Sequence, residues 1–257
     1  AIKSVVDSWE KEYGFDFKYV GISAPGIPNN ENTMINFMPG RLSGLELFNW
    51  ENYLSKKVFV LNDANAAMMA ESRAGIAKDI RFALLVTLGT GMGGSILIDK
   101  KIYTGIGQKG GHLGHFTIDA NDEWKDVTGQ PGSIEEAIGD CSIGRRTNGK
   151  FSSTEKLVQA YLNGNQEAEN FWLQSVKYLA IALSGLANVL SPELIIIGGG
   201  IAKAGNNLLE PLQAFFREYE WRPGINGASI VFAQHGIYAG AIGAAIFAHE
   251  TYNNGSY

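Results

Sequence analysis

The sequence predicts an α/β protein, and three observations carry that reading. Strand-like runs feed helical patterns at two places: KKVFVLN (56–62) precedes ANAAMMAESRAGIA (64–77), and ELIIIGGG (193–200) precedes a helical pattern at 206–219. Between them, RFALLVTLG (81–89), GGSILID (93–99) and KIY (101–103) read as strands joined by turns, an antiparallel meander inside the α/β pattern. The length, 257 residues, exceeds one typical core of about 150 residues and falls short of two, so it permits one large domain or two small lobes.

Taken in order, residues 2–13 place Ile2, Val5, Val6, Trp9 and Tyr13 on one helical face, with Gly14 as the stop. FKYVGIS (17–23) and KKVFVLN are short β-rich runs, and the alanine-rich segment after the second is a helix. The GTGMGG turn (89–94) joins the first two strands of the meander. A polar, irregular stretch at 120–132 leads into helices at SIEEAIG (133–139) and STEKLVQAYLNG (153–164), then a long pattern from Gln166 to Leu190. Ser191-Pro192 ends that pattern, because proline has no N–H to continue the ladder. The apolar run of ELIIIGGG predicts a strand buried on both faces. A helix at 206–219, a strand at ASIVFAQ (228–234) and a closing helix at AGAIGAAIFAHETY (239–252) complete the order.

Composition narrows the function. With 45% hydrophobic and 18% charged residues the chain is globular, neither disordered nor built for a bilayer. A net charge of −5 and a pI near 5.4 supply no basic field for phosphate neutralisation, so no nucleic-acid partner is expected. The single cysteine, Cys141, excludes an internal disulfide and a multi-thiolate metal site, and it suits a reducing, cytoplasmic setting. No unbroken apolar run reaches the ~18 residues of a spanning helix, and AIKSVVDSWEKEYG carries charges where a signal peptide needs an apolar stretch, so no membrane is expected.

Glycine is the outlier, at 32 residues, clustered in GTGMGG, GIGQKGGHLG (105–114) and GGG (198–200). Glycines at a strand end let backbone N–H groups approach a phosphate, since no Cβ blocks the way; the plain alternative for GTGMGG is a hairpin turn. It is not a P-loop, having neither Lys-Ser nor Lys-Thr after it and no helix to open. Gly198, Gly199 and Gly200 follow a buried strand, where a nucleotide lies against bare backbone, or where a simple strand-to-helix turn needs room. Dinucleotide oxidoreductases carry their glycines after the first strand, whereas this string follows a late one, which counts against that reading. In VLNDANAA the strand delivers Asn62 and Asp63 to its C-terminal end just before a helix, so Asp63 is either an N-cap or a general base for a substrate hydroxyl. His112 and His115, three apart among glycines, either converge on one polar ligand or are ordinary surface or core histidines. Glu135 and Glu136 open a helix, where carboxylates complement the helix dipole.

In combination, ISAPG (22–26), LNDANAA (61–67), TLGTGMGG (87–94), GHLGH (111–115), GQPGSIEEA (129–137) and IIIGGG (195–200) resemble the ROK (repressor, ORF, kinase) family of sugar kinases in the actin-like ATPase superfamily, from about Tyr19 to Ala248. The resemblance implies a two-lobed actin-like, ribonuclease H-like α/β fold, with residues 1–76 and 238–257 in the first lobe, which is incomplete, and 77–237 in the second. It implies an ATP- and Mg2+-dependent kinase acting on a hydroxyl of a hexose or N-acetylhexosamine. Residue by residue, it implies Asp63 as catalytic base and Asn62 as a sugar-binding neighbour. Gly26, His115 and Glu135 match sugar contacts; Gly89, Thr90, Gly91 and Gly93 match the phosphate loop, and Gly198, Gly199 and Gly200 match the loop beside the adenosine. A homodimer is implied by the resemblance alone.

Three departures from the family pattern stand out. Its Glu-x-Gly-His becomes His112-x-Gly-His115, and an imidazole cannot accept two hydroxyls as a carboxylate does, so His112 bears on sugar choice. The three cysteines that join the histidine at a structural zinc become Asp126, Thr128 and Ser133, so no structural zinc is expected, and other contacts must orient His115 and hold residues 120–132. The Asp-x-Gly-Gly-Thr phosphate loop that opens family members is not in the sequence, which also begins without Met, and the expectation is a fragment of a longer kinase. The rival readings are a non-catalytic sugar-binding relative, either a transcriptional regulator or a degenerate kinase, and a non-sugar, acetate-kinase-like member of the superfamily. The sugar's identity is not legible in the residues.

Overall fold

The structure, a computed structural model, describes residues 2–38, 42–224 and 226–254. The strands are β1 (Tyr19–Ala24), β2 (Ile27–Pro28), β3 (Ile35–Phe37), β4 (Lys57–Asn62), β5 (Ala83–Leu88), β6 (Met92–Ile98), β7 (Lys101–Tyr103), β8 (Leu194–Gly198) and β9 (Ser229–Phe232). The α-helices are α1 (Ile2–Tyr13), α2 (Trp50–Leu54), α3 (Asp63–Ala74), α4 (Ile134–Ile138), α5 (Ile143–Arg146), α6 (Thr154–Leu162), α7 (Gln166–Leu190), α8 (Asn206–Tyr219) and α9 (Ala239–Asn254). The order follows the sequence reading, with β2, β3, α2 and α5 added.

A five-stranded sheet runs β7-β6-β5-β8-β9. The first three strands form the expected antiparallel meander, and β8 and β9 continue it in parallel with β5. Both faces of this sheet are covered, which explains why β5 and β8 read as unbroken apolar runs. Leu84, Val86, Leu88, Ile195 and Ile197 pack with Trp172, Val176, Leu179 and Leu183 of α7 and with α8; Ala83, Leu85, Leu194 and Ile196 face α3 instead. By length and composition α7 is apolar enough to cross a membrane, but its Trp172, Val176, Leu179 and Leu183 line this core. It ends as predicted, at Ser191 in a left-handed cap that returns its N–H to Ala187 O.

A second sheet pairs β1 with β4 in parallel, from Tyr19 opposite Lys57 to Ala24 opposite Asn62. The alanine-rich α3 lies between the two sheets. Ala64, Ala67, Met68 and Ala70 pack toward β5 and β8, whereas Ala66 and Met69 meet Leu61 of β4 and Phe247 of α9. Small residues suit a helix buried on both sides. The contact with α9 is backbone-close: a Cβ at Gly243 would overlap the Ala66 carbonyl, and one at Gly21 of β1 would overlap that of Ala244.

Three local expectations need correction. The helix after β4 begins at Asp63 and stops at Ala74, with extended Gly75 as its cap, instead of spanning 64–77. Asn62, not Asp63, is its N-cap. Helix α1 forms, but of its predicted apolar face only Val6 is buried, while Ile2, Val5, Trp9 and Tyr13 are exposed.

Candidate active site

The parallel strands β1, β4, β5 and β8 direct their C-terminal ends toward one cavity of about 890 Å3. Gly26, Asn62 and Asp63 line it from β1 and β4, the 89–94 turn and Gly199 from β5 and β8, and His112, His115 and Glu135 from the long connection. This is the position at which open parallel sheets take their ligands, because helix N-termini and unpaired strand ends converge there.

Asn62 organises its side of the cavity. Its Oδ1 accepts the N–H groups of Ala64 and Asn65 at 3.0 and 3.3 Å, capping α3, and its Nδ2 donates to Gly26 O at 3.0 Å. One amide thus ties the start of α3 to the loop after β1. Gly26 has φ +98°, and a Cβ there would lie 2.6 Å from Phe37 O, so the loop requires glycine. Because Asn62 does the capping, Asp63 stands exposed at the first helical position, with Oδ1 accepting the Ala64 N–H at 2.9 Å. The α3 dipole favours its negative charge there.

Gly89, Thr90 and Gly91 are a three-residue hairpin loop between paired Leu88 and Met92. The loop is braced from behind, Gly89 O accepting from Asp140 N at 2.9 Å and Thr90 O from Cys141 N at 2.7 Å. Gly93 is needed because a Cβ would lie 2.5 Å from Thr87 Oγ1. Beside this loop, Gly198 ends β8 opposite Thr87; Gly199 follows with φ +87°, and its Cβ would overlap Leu88 O. Gly199 lines the cavity, Gly198 is buried in the sheet and Gly200 faces open space. The two glycine loops thus lie side by side on adjacent parallel strands.

The 111–115 turn lies flat on β6. A Cβ at Gly114 would overlap Met92 O, and one at Gly94 would lie 2.5 Å from the Leu113 side chain, so these glycines serve packing. The turn presents His112 and His115 to the cavity, with ring centroids 6.5 Å apart and planes within 20° of parallel. Burial first, and then the neighbouring His115, hold the His112 imidazole below its ordinary pKa, against a hydrogen bond with the Gln108 backbone that works the other way. Glu135 is buried in the first turn of α4, and its Oε2 accepts the Met92 N–H at 2.9 Å. Glu136 instead pairs with Arg145 at 3.2 Å, and burial raises its carboxyl above the usual range.

Asp126 replaces the missing orienting group of His115. Its Oδ2 lies 2.9 Å from His115 Nδ1, while its Oδ1 accepts from Thr128 N, Thr128 Oγ1 and Gln130 N at 2.8, 2.7 and 3.1 Å. The Asp126 carboxylate thus braces this part of the 120–132 segment together with backbone bonds such as Gly132 N to Trp124 O at 3.0 Å. His115, Asp126 and Glu135 place potential ligand atoms within 4.8 Å of one another. Asp126 Oδ1 and Oδ2 and Glu135 Oε2 each already have a protein hydrogen-bond partner, and Asp126, Thr128 and Ser133 do not make the donor set of a thiolate zinc site. Lys109, Thr117 and Gln130 also line the cavity and were not singled out from the sequence. Nothing local marks them, since they reach it only through the folded connection.

Comparison with known proteins follows the same lines. The family model described as ROK family matches residues 1–251. A glucokinase of Halalkalibacterium halodurans is 32% identical over 77% of this chain and 65% of its own length, so the matched region spans under two thirds of that relative. Among solved structures, the ROK hexokinase of Thermus thermophilus superposes with a TM-score of 0.86 at 27% identity, covering 98% of this chain and 85% of that one. A ROK family glucokinase from Streptomyces griseus, in complex with glucose and AMPPNP, gives 0.81 at 25% identity, covering 97% and 88%. The α/β arrangement is therefore the two-lobed actin-like ATPase fold of these proteins.

Proposed function

We propose that this chain, which belongs to the ROK family, carries the acceptor site and much of the nucleotide site of an ATP-dependent sugar kinase acting on a hydroxyl of a hexose or N-acetylhexosamine. The observation that carries the proposal is the placement of Asp63. It stands at the N-terminus of α3 in a cavity whose other walls are a glycine hairpin and a His/Glu cluster.

Each wall has a task. Asp63 takes the proton of the acceptor hydroxyl as its oxygen attacks the γ-phosphorus of ATP, and ADP leaves. Asn62 holds α3 and the Gly26 loop in register and retains one amide N–H for the sugar. His112, His115 and Glu135 bind hydroxyls. Gly89, Thr90, Gly91 and Gly93 receive the phosphates, and Gly198, Gly199 and Gly200 flank the adenosine. Bare backbone at Gly89 and Gly200, where a Cβ meets nothing within 4 Å, fits such a ligand. Magnesium accompanies the nucleotide and offsets its phosphate charge. The proposed lobes are residues 1–76 with 238–257, and 77–237, the cleft between them holding the sugar. A homodimer belongs to the same reading on family resemblance alone.

The experiment is a coupled ATPase screen of the complete protein against hexoses, N-acetylhexosamines and small polyols. Sugar-dependent ADP release supports the proposal. ATP binding with no turnover on any acceptor points instead to a sugar-binding regulator.

A further inference from the structure

We propose that Asp126 is a positioning residue that fixes His115 in the tautomer with its proton on Nδ1, leaving Nε2 as a hydrogen-bond acceptor for a substrate hydroxyl. The proposal rests on the kinase reading in one respect only, that the hydroxyl belongs to the sugar.

The argument begins with donors and acceptors. An ionised carboxylate only accepts, so the 2.9 Å contact between Asp126 Oδ2 and His115 Nδ1 places a proton on Nδ1. The Asp126 side chain is wholly buried. Burial works to raise its pKa, but the Thr128 hydroxyl, His115 and the N–H groups of Gln130 and Thr128 outweigh it, leaving the group below the ordinary carboxylate range. A neutral imidazole bonded through Nδ1–H has a lone pair on Nε2, the opposite edge of a ring that lines the cavity. A hydroxyl donating to that lone pair keeps its own oxygen lone pairs available, whereas an Nε2–H would occupy one.

The same carboxylate also shapes the wall beside the ring. Its Oδ1 gathers Thr128 N, Thr128 Oγ1 and Gln130 N, and Val127, Thr128 and Gln130 line the cavity. Ring tautomer and loop conformation therefore depend on one buried anion. Substitution separates them, because the donors on the Oδ1 side select which atom of an amide can face the histidine. In Asp126→Asn, the N–H groups of Thr128 and Gln130 hold the amide oxygen in the Oδ1 place, so the NH2 group faces His115 Nδ1 and donates to it. The imidazole proton then moves to Nε2 while the loop is kept.

The test is long-range proton–nitrogen correlation spectroscopy on the 15N-labelled full chain, with His115 assigned by His115→Gln. The expected wild-type spectrum has Nδ1 protonated and Nε2 bare; Asp126→Asn reverses this. With a sugar that proves to be a substrate, Asp126→Asn should raise the acceptor KM about tenfold, the scale of one lost hydrogen bond, with the ATP KM unchanged. Asp126→Glu, which remains acceptor-only, should restore the wild-type tautomer and part of the KM. A wild-type protein with its proton on Nε2 overturns the proposal, even if every variant fails to fold. So does a tautomer that Asp126→Asn leaves unchanged, or one that reverses with no change in acceptor KM. The spectrum needs no turnover, so a correct tautomer in a protein that phosphorylates no sugar would sink the kinase reading and leave the Asp126–His115 coupling standing.

Discussion

Glu135 fills the space that a side chain at Gly91 would need: its Oε2 accepts the Met92 N–H at 2.9 Å, and a Cβ at Gly91 would overlap that oxygen. The 89–91 hairpin and the Glu135 carboxylate thus meet where a methyl group is missing. Gly91→Ala should expel Glu135 and lower kcat/KM for the sugar by about 100-fold, the scale of an ångström-level misplacement. Gly185→Ala is the control, since its Cβ meets open space on the exposed side of α7 away from the cavity, and it should remain within about twofold of wild type. Steady-state kinetics of the two variants side by side decide the matter; equal activities would remove Glu135 from the acceptor site.

Asp63→Asn should lower turnover by about 100- to 10,000-fold, the contribution of a positioned general base, while sugar affinity by calorimetry stays near wild type. The fold should tolerate the change, because Asn62 and not Asp63 caps α3. Loss of the charge costs a helix-dipole term of about 0.3–1 kcal/mol. Substantial remaining turnover would take Asp63 out of the proton transfer.

Asn62→Ala removes a cap with two N–H partners and the tether to Gly26. Urea unfolding should show a loss of about 1–2 kcal/mol. Asn62→Ser keeps a capping oxygen and loses the donor to Gly26, so its loss should be smaller. Equal losses in the two variants would mean that the Gly26 tether, and not the cap, carries the stability.

His112 sets a pH dependence whose sign can be worked out. Its folded pKa lies below the ordinary 6.5, so as pH falls the unfolded chain takes up the proton first. The stability that His112 contributes is present above about pH 6.5 and lost as pH falls from there through the folded value. Thermal midpoints measured from pH 8 to pH 5 should fall more steeply for wild type than for His112→Gln below that point. Parallel curves would show that the neutral ring is not favoured by the fold.

Most of the fold was legible wherever one interaction dominates a stretch of chain. Leu194–Gly198 had to be a central strand, because nothing in it tolerates water, and α7 had to end at Ser191-Pro192. The glycine strings at 89–94 and 198–200 announced two bare strand ends, although Gly198 itself is a sheet residue and Gly114 and Gly94 serve packing. What the sequence hid depends on distant partners. The hairpin of β2 and β3 is too short to show a period, and the apolar face of α1 is real as a pattern yet mostly exposed. Asp126 was visible only as something other than cysteine. Its task emerges from His115, eleven positions away, and from a loop that no periodicity describes.

The docking of α9 has a consequence for how the protein is made. Tyr19 of β1 reaches its hydrogen-bond partner, His249 of α9, across 230 positions of sequence, and the pair approaches at 2.7 Å. Gly21 and Gly243 permit that helix to seat backbone-close on β1 and α3, so no earlier segment can take its place without the same shape. During synthesis, β1, β4 and α3 therefore emerge long before the surface that covers them. That early part must wait with small, apolar, unsealed faces, which is the condition in which chaperones bind and nascent chains stick to one another. Mutations in α9 should then be felt first as lost yield of soluble protein, before any change in the catalysis of the molecules that do fold.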